Sequence, residues 1–164
     1  MNICGIDPGF SGAITFLNKE GRIVFKTIMP IIKFKVGKKK KIEYDSKAIR
    51  KLMIDYKPKM TAIEVQQAMP KQGVSSTFKT GRGFGLLEGI MIGLGYSYLL
   101  IRAQAWQKEM FAGYPKSEGK TLSKKVATML APNEDFKRTN RCSTLHDGLT
   151  DSYLISEFTR RKIK

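Results

Sequence analysis

The chain opens on a short apolar run, Asn2 to Asp7, that stops at Asp-Pro-Gly, the pattern of a buried strand cut off by a turn. Two more strand-like runs follow, Ser11 to Leu17 and Arg22 to Ile28, joined by Asn18-Lys19-Glu20-Gly21. A short polar connection ending in glycine makes a hairpin, so the first three strands should be sequential and antiparallel. From Ile31 to Glu43 apolar and basic residues alternate on either side of Gly37, which predicts a protruding basic loop or hairpin. Asp45 then caps a helix reaching Tyr56, with Ile49, Leu52 and Met53 as its apolar stripe. Met60 to Val65 reads as a buried strand with Glu64 at its end, Ser75 to Leu94 as a helix, and Tyr96 to Ile101 as a strand.

Beyond that point the period is helical. Ala103 to Phe111 forms a short helix with the only tryptophan, Trp106, and Ser117 to Leu130 forms a basic helix ended by Pro132. Asn133 to Ser143 is polar and reads as a loop. The last helix runs from Leu145 to Arg161 with Leu149, Tyr153, Leu154 and Phe158 facing the core. No repeat or linker interrupts the chain, so residues 1–164 are expected to form a single domain. Three antiparallel strands followed by strands alternating with helices predict one mixed α/β sheet covered on both faces, the later strands parallel to the first.

Charge narrows the list of partners. Thirty Lys and Arg against fourteen Asp and Glu leave a formal net charge of +16, a self-repulsion that a polyanion relieves. Nucleic acid fits through phosphate neutralisation. Anionic membrane fits less well, because no long amphipathic basic helix is evident. The most apolar segment, Phe84 to Ile101, carries Glu88, Gly85, Gly89, Gly93 and Gly95, and reads as buried helix and strand, so no membrane span is expected. The N-terminus lacks the basic-then-apolar pattern of a signal peptide, and Cys4 and Cys142 lack metal-type spacing. Reduced thiols in a cytoplasmic protein are the simplest expectation.

Four carboxylates carry the candidate chemistry. Asp7 ends the first strand and Glu64 the fourth, while Asp147 and Asp151 lie one turn apart on the last helix and share a face. Neighbouring parallel strands open on one sheet edge, where Asp7 and Glu64 can meet, and a helix crossing that edge brings in Asp151 and Asp147. Converged carboxylates repel unless a cation neutralises them, and hard ions such as Mg²⁺ prefer oxygen ligands. Two such ions about 4 Å apart activate water and stabilise the leaving oxygen of a phosphodiester. Each acid also has a plainer reading. Asp7 before Pro8 can be a turn former, Asp147 a first-turn partner of the helix dipole, and Asp151 an ordinary exposed charge. His146, the only histidine, can act on a proton or phosphate, or simply start the helix.

Gly5-Ile6-Asp7-Pro8-Gly9-Phe10-Ser11-Gly12-Ala13, then Ala62-Ile63-Glu64, then Gly73 to Gly83, then His146-Asp147-Gly148-Leu149-Thr150-Asp151-Ser152 resemble the RuvC group of Holliday junction resolvases, phage-type members especially. The resemblance spans nearly the whole chain in the expected order. It implies a ribonuclease H-like fold, a homodimer, and paired nicks in branched DNA dependent on two Mg²⁺, with Mn²⁺ able to substitute. By position, Asp7, Glu64 and Asp151 match the metal-binding carboxylates. Some members carry a fourth acid three residues before the last one. Here that position is Gly148, so Asp147 reaches the metal from another angle or His146 shares the role. The resemblance also leads one to expect an aromatic wedge soon after Glu64. This chain has Val65-Gln66-Gln67-Ala68-Met69-Pro70-Lys71, with Met69 alone available to insert. A preference extending to three-way junctions, forks or flaps follows from that absence.

Candidate DNA contacts are the run Lys38, Lys39, Lys40 and Lys41, the flank of the second acid at Met69 and Lys71, Lys79 and Arg82, and Lys116, Lys120, Lys124 and Lys125 on or near one helix. Gly85, Gly89 and Gly93 recur every four residues, leaving one helix face without side chains. Glycine costs a helix about 1 kcal/mol per residue relative to alanine, so something should approach that face, either the sheet or a second copy of the chain. An actin-like ATPase also begins with a strand, an aspartate and a glycine turn, but needs a second lobe that this length does not supply. The remaining alternative is a non-catalytic protein that binds branched DNA on the same fold.

Overall fold

A computed structural model describes residues 1–68, 71–115 and 121–163. Strands β1 (Asn2–Asp7), β2 (Ala13–Leu17) and β3 (Ile23–Ile28) form an antiparallel meander, while β6 (Pro58–Glu64) and β7 (Tyr98–Ile101) add in parallel on the other side of β1. The sheet order is β3-β2-β1-β6-β7, the mixed five-stranded sheet expected from the chain. The segment around Gly37 resolves as a hairpin, β4 (Ile31–Val36) and β5 (Lys39–Tyr44), which forms its own two-stranded sheet with Gly37 in the left-handed region at φ 58°. Helices α1 (Ser46–Tyr56), α2 (Val74–Leu94), α3 (Ala103–Met110), α4 (Leu122–Leu130) and α5 (Asp147–Lys162) complete the order.

Alternation along the strands sends side chains into two cores. Cys4, Ile6, Ile14, Phe16 and Ile63 face α1 and α2, where Ile49, Met53, Leu87 and Met91 close over them. Ala13, Leu17 and Ala62 face the opposite layer of α3, α4 and α5, with Trp106, Val126, Leu149, Tyr153 and Leu154. Asp45 caps α1 by accepting the Ala48 N–H at 3.0 Å, as its position predicts.

The last helix departs most from its sequence pattern. Beyond the expected Leu149, Tyr153 and Leu154, it also buries Thr150, Ser152, Ser156, Glu157 and Thr159, while Phe158 is only partly covered. It lies directly on β1 and β2, and its Ser152 and Ser156 hydroxyls find partners on β2. Ser152 Oγ and Thr15 Oγ1 share a hydrogen bond of 2.8 Å, and Ser156 Oγ donates to the Thr15 carbonyl at 2.9 Å. Glu157 is held by Arg160 and Arg161 at 2.7 and 2.8 Å. Gly5 makes the approach possible, since a Cβ there would fall within 2.5 Å of the Ser152 carbonyl oxygen. Gly148 does the same at the helix start, where a Cβ would lie 2.7 Å from the Ser11 carbonyl oxygen.

Element ends shift by a few residues. Ser11 and Gly12 belong to the turn before β2, which is closed by the Gly12 N–H donating to the Gly9 carbonyl at 3.0 Å. Strand β6 starts at Pro58 and ends on Glu64, and α5 starts at Asp147 with His146 as its cap. The expected loop from Asn133 to Ser143 is irregular, yet it buries Phe136 completely against Tyr153 at a ring distance of 5.3 Å. Among the described residues no helix is long and apolar enough to cross a membrane.

Candidate active site

The acidic edge follows from strand parity. Ile6 pairs with Ile63 in the parallel β1–β6 ladder, so Asp7 and Glu64 are the next residues on adjacent strands. Gly5 and Ala62, two residues earlier, lie on the α5 side, so Asp7 and Glu64 point to that side as well. Asp151, on the second turn of α5, comes down on the same edge because Gly5 and Gly148 let the helix sit against the strands.

Burial and mutual repulsion act on these groups together. Asp7 is pushed up to about 8, by burial first and then by the Asp151, Glu64 and Asp147 carboxylates. Asp151 is pushed up to about 6, again chiefly by burial, with a Ser123 hydrogen bond opposing and Glu64 and Asp147 adding to the rise. Burial also raises Glu64, against the effect of the Trp106 indole, whose Nε1–H donates to Glu64 Oε2 at 2.6 Å. Asp151 Oδ1 is buried without a hydrogen-bond partner among the described residues. A buried carboxylate oxygen left unpartnered costs several kcal/mol unless it is protonated or meets a cation.

The outer members are tied elsewhere. Asp147 is largely exposed and pairs with Lys124 at 2.6 Å, in the first turn of α5. His146 caps that helix, its Nδ1 accepting the Leu149 N–H at 3.3 Å, which leaves the ring proton on Nε2. Burial, then the Arg138 charge, hold the imidazole below its ordinary value. With Glu64 drawn to Trp106 and Asp147 to Lys124, no group of three metal-type ligands is closed among the described residues. The residues nonetheless fit a hard cation: the donors are all carboxylate oxygens, one is buried with no partner among the described residues, and Asp7 rejects its own charge. Gly148 also accounts for the missing acid at its position, because the backbone of the β1–β2 turn occupies the space a side chain would need.

Three contributors carry no sequence signal as site residues. Trp106 orients Glu64 from a helix 42 residues away. Gln66 Nε2 donates to the Pro8 carbonyl at 3.1 Å and so fastens the turn after Asp7 to the strand end after Glu64. Tyr44 Oη accepts the Gly9 N–H at 2.8 Å. The parity of Gln66 with Glu64 is the one clue the chain offers.

The basic candidates divide. Lys38 to Lys41 are exposed on the hairpin, Lys71 is exposed in the turn before α2, and Lys79 is exposed on α2. Arg82 is exposed but pairs with Glu43 at 3.2 Å. Lys124 is engaged with Asp147, and the Lys125 ammonium sits 5.6 Å from the Tyr114 ring centre. Met69, Lys116 and Lys120 lie outside the described residues. Of the helix glycines, Gly83 is filled by the Tyr44 ring, whereas Gly85, Gly89 and Gly93 have nothing within 4 Å of a Cβ among the described residues and do not pack on the sheet.

Sheet order and crossing helix together make a ribonuclease H-like fold. Among solved structures, the fold is shared with Thermus thermophilus RuvC in complex with a Holliday junction substrate, at 16% identity and a TM-score of 0.57 over 99% of this chain and 96% of that one. It is also shared with the yeast mitochondrial Holliday junction resolvase Ydc2, at 13% identity and TM-score 0.56, covering 97% of this chain and 77% of that one. Fowlpox virus resolvase, solved with Holliday junction DNA, aligns at 15% identity and TM-score 0.50 over 98% and 99%. No protein-family model matches the chain, and neither does a curated relative.

Proposed function

We propose that the protein is a Mg²⁺-dependent endonuclease that nicks branched DNA: four-way junctions, three-way junctions and forks. The observation that carries this reading is the meeting of Asp7, Glu64 and Asp151 on one sheet edge, with a buried Asp151 oxygen that has no partner among the described residues and Asp7 pushed up to about 8. Asp7 and Asp151 would hold the ion, Glu64 would join them from its tryptophan anchor, and Asp147 would complete the set by leaving Lys124. The bound ion supplies activation of water and neutralises charge developing on the cleaved phosphodiester. The chain's own part is to fix the oxygens in place, through the Gly5 and Gly148 contacts of α5 and the Gln66 clamp. His146 presents a neutral Nε2–H donor beside the acids. A shallow pocket of about 290 Å³ lined by Glu64, Gln66, Gln67, Gln72 and Thr80 opens next to them and offers amide donors to a DNA backbone.

Incubation with end-labelled linear, forked, three-way and four-way DNA, with and without Mg²⁺, tests this directly. Nicks are expected only with the ion and only on the branched substrates; equal cutting of linear duplex, or cutting in EDTA, defeats the reading.

A homodimer through α2 belongs to the same proposal. The open glycines at 85, 89 and 93 and the exposed Ile92 form a stripe that a second helix can approach closely. Gly89→Glu is expected to abolish a dimer seen by sedimentation while the monomer's melting temperature stays level or rises, because a Cβ there meets nothing and glycine is the poorer helix former. A variant that still sediments as a dimer would remove α2 as the interface.

A further inference from the structure

One large feature takes no part in the carboxylate chemistry. A cleft of about 750 Å³ opens between the β4–β5 hairpin, the first half of α2 and the turn that follows Asp7. Its floor is Tyr44. That ring fits against α2 because Gly83 has no side chain, and its hydroxyl is fastened to Gly9, two residues past Asp7. Phe10 leans on Tyr44 with ring centres 5.0 Å apart at 52°. Phe78 stands on the α2 wall and is 70% exposed. The rim is cationic: Lys40 and Lys41 on the hairpin, Lys79 and Arg82 on the helix, against the single acid Glu43 among the described lining residues. The Glu43–Arg82 pair spans hairpin and helix and so sets the width of the cleft.

We infer that this cleft receives an unpaired nucleotide of the DNA, its base stacked against Phe78 and Phe10 and its phosphates on Lys40, Lys41 and Lys79. The inference rests on the branched-DNA reading and names the part of the substrate that the carboxylates do not recognise. A branch point differs from a duplex by offering unstacked bases. Aromatic faces bordered by Lys and Arg are the surface that takes up such bases whatever their identity. A site for phosphate alone has no use for an exposed phenylalanine, and an apolar docking groove has no use for four bases on its rim. The cleft also supplies the aromatic surface that residues 65–68 do not. Its volume falls in the usual range of small-ligand sites, roughly 300–1,000 Å³.

The test places 2-aminopurine at the unpaired position beside the branch of a forked DNA, in EDTA so that the DNA stays intact. Wild-type protein should quench the fluorescence. Phe78→Ala, at a position too exposed to support the fold, should abolish the quench and weaken fork binding about 5- to 150-fold, with blunt duplex binding unchanged. Phe78→Trp should restore both. A quench that survives in Phe78→Ala, or equal losses on fork and duplex, overturns the inference. Nicking of the same fork in Mg²⁺ is followed in parallel to separate the two readings. A quench that depends on Phe78 without nicking leaves the cleft and removes the nuclease, whereas nicking with a signal indifferent to Phe78 does the reverse.

Discussion

Asp7→Asn should reduce Mg²⁺-dependent nicking of branched DNA by on the order of 10³-fold or more, while affinity for the same DNA in EDTA stays within about twofold. Loss of a residue that only orients a metal ligand typically costs about 10- to 100-fold, and Asp7 is proposed as a ligand itself. Asparagine keeps the shape and one oxygen but removes the charge that the ion must meet. The edge can accept it, because burial already disfavours the ionised acid there. DNA affinity should survive because the exposed lysines proposed to meet phosphates lie on the hairpin and α2, and the substitution alters none of them. Nicking within tenfold of wild type would refute the assignment of Asp7.

The second large effect is on stability against pH. Asp7 is raised from 3.8 to about 8 in the folded protein, so folding increases its proton affinity by about four powers of ten. Between those values the folded chain keeps a proton that the unfolded chain has released. Stability is therefore full below about pH 4, where both states are protonated, and is lost as pH rises toward 8. Asp151, raised to about 6, and Glu64, also raised, add with the same sign. His146 is lowered, so it acts in the opposite direction and only below its ordinary value. In EDTA the melting temperature should fall from pH 5 to pH 8. Mg²⁺ should restore it at pH 8 and do little at pH 5, where it must displace the proton. Asp7→Asn should flatten the profile and blunt the Mg²⁺ response. A wild-type profile that is level or rises over this range would be incompatible with the coupled acidic edge, as would an equal Mg²⁺ shift in the variant.

Much of this arrangement is legible in the chain because the signals are local. Two apolar runs end on Asp7 and Glu64, and helical crossovers make those strands parallel, which places the acids on one edge. The hairpin, the Asp45 cap and the mixed strand directions follow from turn chemistry, alternation and helical crossovers in the same way. What the chain conceals is tertiary. Ser152 and Ser156 count as polar in any periodicity, yet both are buried because Thr15 happens to lie opposite them. Nothing near Glu64 announces Trp106, and nothing near Asp147 announces Lys124. The spacing of Gly85, Gly89 and Gly93 suits a sheet contact as well as a free face, and only the packing separates the two.

The glycines against α5 bear on how proteins of this kind can be traced at low identity. Acids at strand ends and on helices are common, so a search for three of them admits many unrelated chains. A glycine two residues before the strand acid and another three residues before the helix acid state something narrower: the helix rests on the backbone of β1 and of the β1–β2 turn with no side chain between them. Gly-x-Asp early in a chain and Asp-Gly-x-x-Asp late in it thus form a geometric signature, a pair of spacers that fixes how far apart the acids may stand. A chain with a side chain in place of either spacer would need a wider seat for the helix.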